Sequence, residues 1–122
     1  TTSDGSDACS EANTVVDSLI GYGLQGEPRG QTRDIIDYCN NIETPMISLD
    51  VPSGFNATTG ERPGSAIEPA EILTLALPKT GLQETECPLY LADISIPSVV
   101  YDRVGIDYHS PFEESYFVAL DR

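Results

Sequence analysis

The feature that most constrains this chain is the glycine cluster Gly21-Tyr22-Gly23-Leu24-Gln25-Gly26, set between a β-branched run and an amphipathic stretch. Glycines where a strand ends permit a tight turn and a close approach of backbone to ligand, because no Cβ intervenes. The preceding run, Thr14-Val15-Val16-Asp17-Ser18-Leu19-Ile20, has the composition of a buried parallel strand with a polar interruption at Asp17. Beyond Pro28, the residues Ile35, Cys39 and Ile42 share one helical face, so Gln31 to Asn41 reads as a helix that Asn40-Asn41 stops. Strand, glycine turn and helix in that order open a βαβ unit.

Further strand signals follow. Met46 to Leu49 is a short strand started by Pro45 and closed by Asp50, and Ile72 to Leu77 is a second that halts at Pro78. Leu89 to Ile96 is bounded by Pro88 and Pro97, Ser98 to Val104 makes a brief helical turn, and Glu114 to Leu120 reads as a final edge strand. The pattern argues for one α/β domain over residues 14–122 with a mostly parallel sheet, preceded by a polar, acidic tail over residues 1–13. At 122 residues the chain is of single-domain size.

Two clusters carry chemistry. Gly21 to Gly26 satisfies the G-x-G-x-x-G pattern of a dinucleotide loop, whose amide groups meet a phosphate near a helix start. Glu27 and Pro28 depart from it, because they put a negative charge and a residue without N–H where the phosphate-facing helix should begin. A glycine turn of purely structural use stays open on these residues alone. In Asp50-Val51-Pro52-Ser53-Gly54, a carboxylate stands at the carboxyl end of a strand, where ligands bind in open α/β sheets. Val51 stands where a nucleophile elbow needs glycine, so Ser53 is not read as a nucleophile. Lys79, the only lysine, reads equally as a cleft cation or a solvated strand end. His109 lies in a polar surface loop, and Arg29 reads as a brace for the loop or a surface ion-pair partner.

Four segments in order resemble the successive motifs of the NAD(P)H-hydrate epimerases, the YjeF amino-terminal type. They are Asp17 to Gly30, Ser48-Leu49-Asp50-Val51-Pro52-Ser53-Gly54, Leu75-Ala76-Leu77-Pro78-Lys79-Thr80-Gly81-Leu82 and Ala92-Asp93-Ile94-Ser95-Ile96-Pro97. The resemblance implies a Rossmann-like three-layer α/β/α sandwich, often dimeric, that interconverts the R and S epimers of hydrated NADH and NADPH. It implies substrate contacts from Gly21, Tyr22, Gly23, Leu24, Gln25, Gly26, Glu27 and Asp50, and a potassium ion held by Asp17 and Ser53. Asp50 is the candidate acid or base, because inverting a hydroxylated ring carbon moves protons. The family's Asn-Asn-Gly-Gly-Asp-Gly-like loop, from an amino-terminal half, is absent from this sequence. The sequence therefore resembles the carboxyl-terminal part of such a domain, expected to pair with that half or with a second copy. A noncatalytic nucleotide-binding or dimerisation module and an NAD-dependent oxidoreductase fragment are the alternatives.

Charge narrows the partners. Twenty acidic residues against 6 basic ones give a net charge of −14, which offers no cationic patch to nucleic acid or anionic membrane. Cys9, Cys39 and Cys87 are odd in number and widely spaced, which indicates neither a disulfide framework nor a zinc site. No stretch is apolar enough to span a bilayer, and a cytoplasmic location is expected. A lysine-poor acidic surface resembles those of proteins from salt-loving organisms, where salt screens the repulsion among carboxylates. The melting temperature is accordingly expected to rise between low and molar KCl; a flat response would count against salt adaptation.

Overall fold

The computed structural model describes residues 8–121. Five strands, β1 (Val15–Asp17), β2 (Met46–Leu49), β3 (Glu71–Leu75), β4 (Leu89–Ala92) and β5 (Phe117–Ala119), form one sheet in chain order. The first four are parallel and β5 runs antiparallel at the edge. Helix α1 (Gly30–Asn40) links β1 to β2, a 3-10 helix (Thr80–Glu84) lies between β3 and β4, and α2 (Ser98–Arg103) precedes β5. The class is α/β with a mostly parallel sheet, as the motifs imply.

The order of the strands has a consequence. Right-handed crossovers between parallel neighbours taken in sequence all fall on one face. Burial follows suit: Asp17, Met46, Ser48, Ile72, Thr74, Leu89 and Leu91 are buried on that face. Their alternating neighbours Ile47, Leu49, Leu73, Leu75 and Tyr90 are half-buried, and Val16 and Phe117 are exposed. That far face is the one a third layer would cover.

Two apolar clusters hold the covered face. Ile36 and Cys39 of α1 pack with Met46 and Ile67, joined by Val15, Ile20, Ile35 and Tyr38. Val51, Phe55, Ala57, Ile72, Leu82 and Leu89 form the other, under the segment after β2 and the 3-10 helix. Asn40 ties helix to loop, since its Nδ2 donates to the Ala66 carbonyl at 2.8 Å and its Oδ1 accepts from the Glu68 amide at 3.0 Å.

Several boundaries differ from the sequence reading, each for a local reason. β1 ends at Asp17 rather than continuing to Ile20, because the following amides turn to side chains: Leu19 N–H donates to Asp17 Oδ1 and Ile20 N–H to Ser53 Oγ. The buried face of α1 carries Ile36 with Cys39, while Ile35 is half-buried and Ile42 lies past the helix end. β3 stops at Leu75 because Ala76 adopts φ 64°, and β4 stops at Ala92, short of the expected Ile96: Asp93 N–H still reaches the Tyr116 carbonyl, and the chain turns at Ser95 with φ 60°. Most of the tail expected over residues 1–13 lies outside the described residues. Residues 8–11 are helical, and the Cys9 carbonyl accepts a bond from Thr44 Oγ1 at 3.1 Å.

Gly54 is the position where glycine is required most plainly. Its φ is 92°, and a Cβ there would lie 2.2 Å from the Ser65 carbonyl oxygen. A Cβ at Gly23 would meet nothing within 4 Å. Gly54→Ala is expected to cost roughly 2–4 kcal/mol in urea unfolding and Gly23→Ala under about 1 kcal/mol.

Candidate active site

The carboxyl ends of the parallel strands form a crest where the two sequence clusters meet. At its base is Asp17, at the end of β1 and only 4% exposed. A buried carboxylate is tolerable only when donors surround it. Oδ2 accepts from Ser48 Oγ at 2.7 Å and from Ser53 N–H at 2.8 Å, while Oδ1 accepts from Ser53 Oγ at 2.5 Å. Ser48 supplies its hydroxyl because it is the register partner of Asp17 on β2, so both side chains share the covered face. Ser53 in turn accepts the Ile20 amide at 2.9 Å, which fastens the entry of the glycine loop to the turn after β2.

Asp50 follows β2 directly and continues the ladder through its N–H to the Leu73 carbonyl at 2.8 Å. Its φ is 72°, a left-handed conformation that aspartate tolerates better than most residues. Asp50 Oδ1 is buried, and among the described residues its partner is Lys79 Nζ at 2.6 Å. The other oxygen faces the glycine loop: a Cβ on Gly21 would stand 3.9 Å from Oδ2. Lys79 Nζ also donates to the Leu75 carbonyl at 2.7 Å. The pair is poorly solvated, with side chains 16% and 19% exposed for Lys79 and Asp50.

The loop itself is open. Gly21, Tyr22 and Gly23 are exposed, Leu24 is half-buried, and Gln25, Gly26 and Glu27 are exposed. Among the described residues, nothing accepts a hydrogen bond from the amides of Gln25, Gly26 or Glu27. Gly26 takes φ 76°, and α1 does not begin until Gly30, so Glu27, Pro28 and Arg29 separate the glycines from the helix. In a dinucleotide fingerprint the glycines run straight into the helix; here they form a free-standing wall beside Asp50.

Other singled-out residues fall elsewhere. Arg29 meets Glu27 at 3.9 Å with its side chain 84% exposed, a surface contact. His109 is an exposed loop residue near Asp107. Burial, with smaller contributions from Cys9 and Asp17, pushes the Cys39 thiol upward, which makes it a poor nucleophile. Among the described residues, no three His, Cys, Asp or Glu side chains gather as a metal-binding group. A shallow cavity of about 610 Å³ lies near the amino end of β4, lined by Gln83 to Glu86, Leu120 and Asp121, away from the crest. No described helix is long and apolar enough to cross a membrane. The sequence reading missed Ser48 as a partner of Asp17, although its place in a short alternating strand put it on the covered face. It also left Lys79 undecided.

The fold and crest define an α/β domain whose two sequence clusters meet over the carboxyl ends of a parallel sheet, where open α/β domains bind ligands. Residues 1–81 match the family described as YjeF-related protein N-terminus, and the chain belongs to that family. It is similar to the NAD(P)H-hydrate epimerase of Dehalogenimonas lykanthroporepellens, 46% identical over 112 residues, which are 90% of this chain and 46% of the relative. The NAD(P)H-hydrate epimerase of Truepera radiovictrix is 39% identical over 95 residues, 76% of this chain and 43% of that one. The bifunctional NAD(P)H-hydrate repair enzyme Nnr of Dictyoglomus turgidum is 38% identical over 96 residues, 79% of this chain and 18% of that one. The chain therefore spans about half the length of the epimerases it matches. A crystal structure of yeast ynu0, YNL200c, shares the fold with a TM-score of 0.72 at 21% identity, over 88% of this chain and 46% of that one.

Asp17→Ala would strand the Ser48 hydroxyl and both donors of Ser53, and is expected to cost roughly 2–4 kcal/mol. Ser48→Ala removes one bond and should cost about 1 kcal/mol. Urea midpoints at constant slope would check the ranking, which a smaller loss for Asp17→Ala would overturn.

Proposed function

We propose that this chain takes part in the interconversion of the R and S epimers of hydrated NADH and NADPH, an isomerase reaction of cofactor repair. The observation that carries this reading is the convergence on one crest of the Gly21 to Glu27 loop, Asp50 and the Asp17–Ser53 pair, in a chain 46% identical to an NAD(P)H-hydrate epimerase. In this reading the loop glycines let the dinucleotide lie close to the backbone, and the amides of Gln25, Gly26 and Glu27 meet its polar groups. Asp50 Oδ2 is the group that moves the proton. In its carboxylic acid form Asp50 gives its proton to the ring hydroxyl, the C–O bond breaks as the ring-nitrogen lone pair supplies electrons, and water departs, leaving the carboxylate. Water returning to the opposite face gives the proton back to the carboxylate, so nothing is consumed.

Potassium belongs to the same reading. The Ser53 hydroxyl lies 2.5 Å from Asp17 Oδ1 and 3.4 Å from the Ile20 carbonyl oxygen. These are buried or half-buried hard oxygens, one of them charged, a donor set that fits an alkali cation. Asp17 and Ser53 would hold it. A bound ion supplies fixed positive charge where the loop meets the turn. This chain spans only about half of each epimerase relative, so the working pocket in this proposal also draws on residues outside this sequence, either the remaining half of a relative-length domain or another copy. The half-exposed far face of the sheet suits such pairing. The dehydrogenase alternative is less well supported, because residues 27–29 part the glycines from α1.

The assay starts from one purified epimer of hydrated NADPH and follows the other by chromatography, with the chain alone and with the remaining segment of a full-length relative. Acceleration over buffer is expected, and Asp50→Asn should lower it by about 100-fold or more. The proposal falls if neither mixture accelerates the exchange.

A further inference from the structure

We propose that Lys79 is the positioning residue of this site, its ammonium locking the Asp50 carboxylate so that Oδ2 alone is presented to the glycine loop. The kinetic part of this inference rests on the epimerase reading above; the structural part does not.

The chain carries 20 acidic residues, most of them well solvated, yet its only lysine is 16% exposed and set against one carboxylate. Removing an ammonium from water and ordering its long stem is unfavourable, and a lysine serving solubility would stay on the surface. Backbone geometry shows the same commitment. Two non-glycine residues at the ends of adjacent strands, Asp50 with φ 72° and Ala76 with φ 64°, adopt the left-handed conformation. Aspartate has a local excuse for it; alanine has none. At Ala76 the conformation turns the chain sharply after β3, with Leu77 N–H closing back on the Leu75 carbonyl at 2.7 Å. The segment then returns Lys79 to the crest, where Nζ meets Leu75 O at 2.7 Å and Asp50 Oδ1 at 2.6 Å.

The division of labour between the carboxylate oxygens follows. Oδ1 is buried, and among the described residues the Lys79 ammonium at 2.6 Å is the one group that holds it. Rotation about the terminal torsion of an aspartate is otherwise soft and nearly two-fold. With Oδ1 held, the oxygen facing Gly21 is always the same one. Lys79 therefore acts on a substrate through Asp50, and its loss should reduce turnover more than binding.

A single lysine makes the test direct, since a ¹⁵N-labelled chain has only one lysine side-chain ammonium. In the wild type that ammonium should give a slowly exchanging proton signal near neutral pH, and Asp50→Asn should abolish it. A signal absent from the wild type, or indifferent to Asp50→Asn, would overturn the inference whatever the chain catalyses. In the epimer assay, Lys79→Met should lower kcat by about 100-fold with KM within about 2-fold, and Lys79→Arg should restore part of it. Unchanged kcat in a folded Lys79→Met protein, or a loss residing in KM, would also overturn it. A wild type showing the protected ammonium but no epimerisation under either assay condition would refute the epimerase reading and leave the lock in place.

Discussion

The buried carboxylate of Asp17 is the constraint on which the crest depends. A charge taken out of water must be surrounded by donors, and these come from Ser48 on the neighbouring strand and from Ser53 in the turn beyond it. Because Ser53 also receives the Ile20 amide, one residue fixes three things together: the end of β1, the start of the glycine loop and the path of the chain after β2. Without that junction, the loop and the Asp50 turn would be two flexible connections on adjacent strands. With it, they become two walls of one cleft.

The second ion-bearing feature, Asp50 with Lys79, is built differently. Asp17 is hydrogen-bonded by hydroxyl and amide donors, while Asp50 is met by a full positive charge and left with one oxygen facing the loop. Two carboxylates at the ends of adjacent parallel strands are thus held in different surroundings, and the proposed function rests on that difference. Two of the four described non-glycine residues with positive φ, Asp50 and Ala76, stand at this crest; Ser95 and Glu113 are the others.

Much of this was legible from the residues. The alternation of Met46-Ile47-Ser48-Leu49, with Pro45 and Asp50 on either side, marked β2 with its observed bounds, and Asn40-Asn41 marked the end of α1. What was misread involved competition between backbone and side chains. Continuation of β1 through Ser18 and Leu19 to Ile20 looks favourable by composition, but the Asp17 carboxylate and Ser53 hydroxyl capture the amides that a ladder would use. On α1 the expected Cys39 is buried and Ile35 packs at the edge, while Ile36 takes the centre of a cluster with Met46 and the distant Ile67.

The sequence by itself determined the kind of domain and the membership of its motifs. Glycine spacing, strand-ending aspartates and a conspicuous lone lysine are local chemical facts that survive without coordinates. Only the tertiary structure decided which of those groups meet. Strand register set Asp17 against Ser48, and the turn at Ala76 set Lys79 against Asp50. Contacts between residues so distant along the chain depend on the order and pairing of strands, which no local pattern encodes. The glycine loop lies beside Asp50 because that pairing delivers the Asp50 turn to its side.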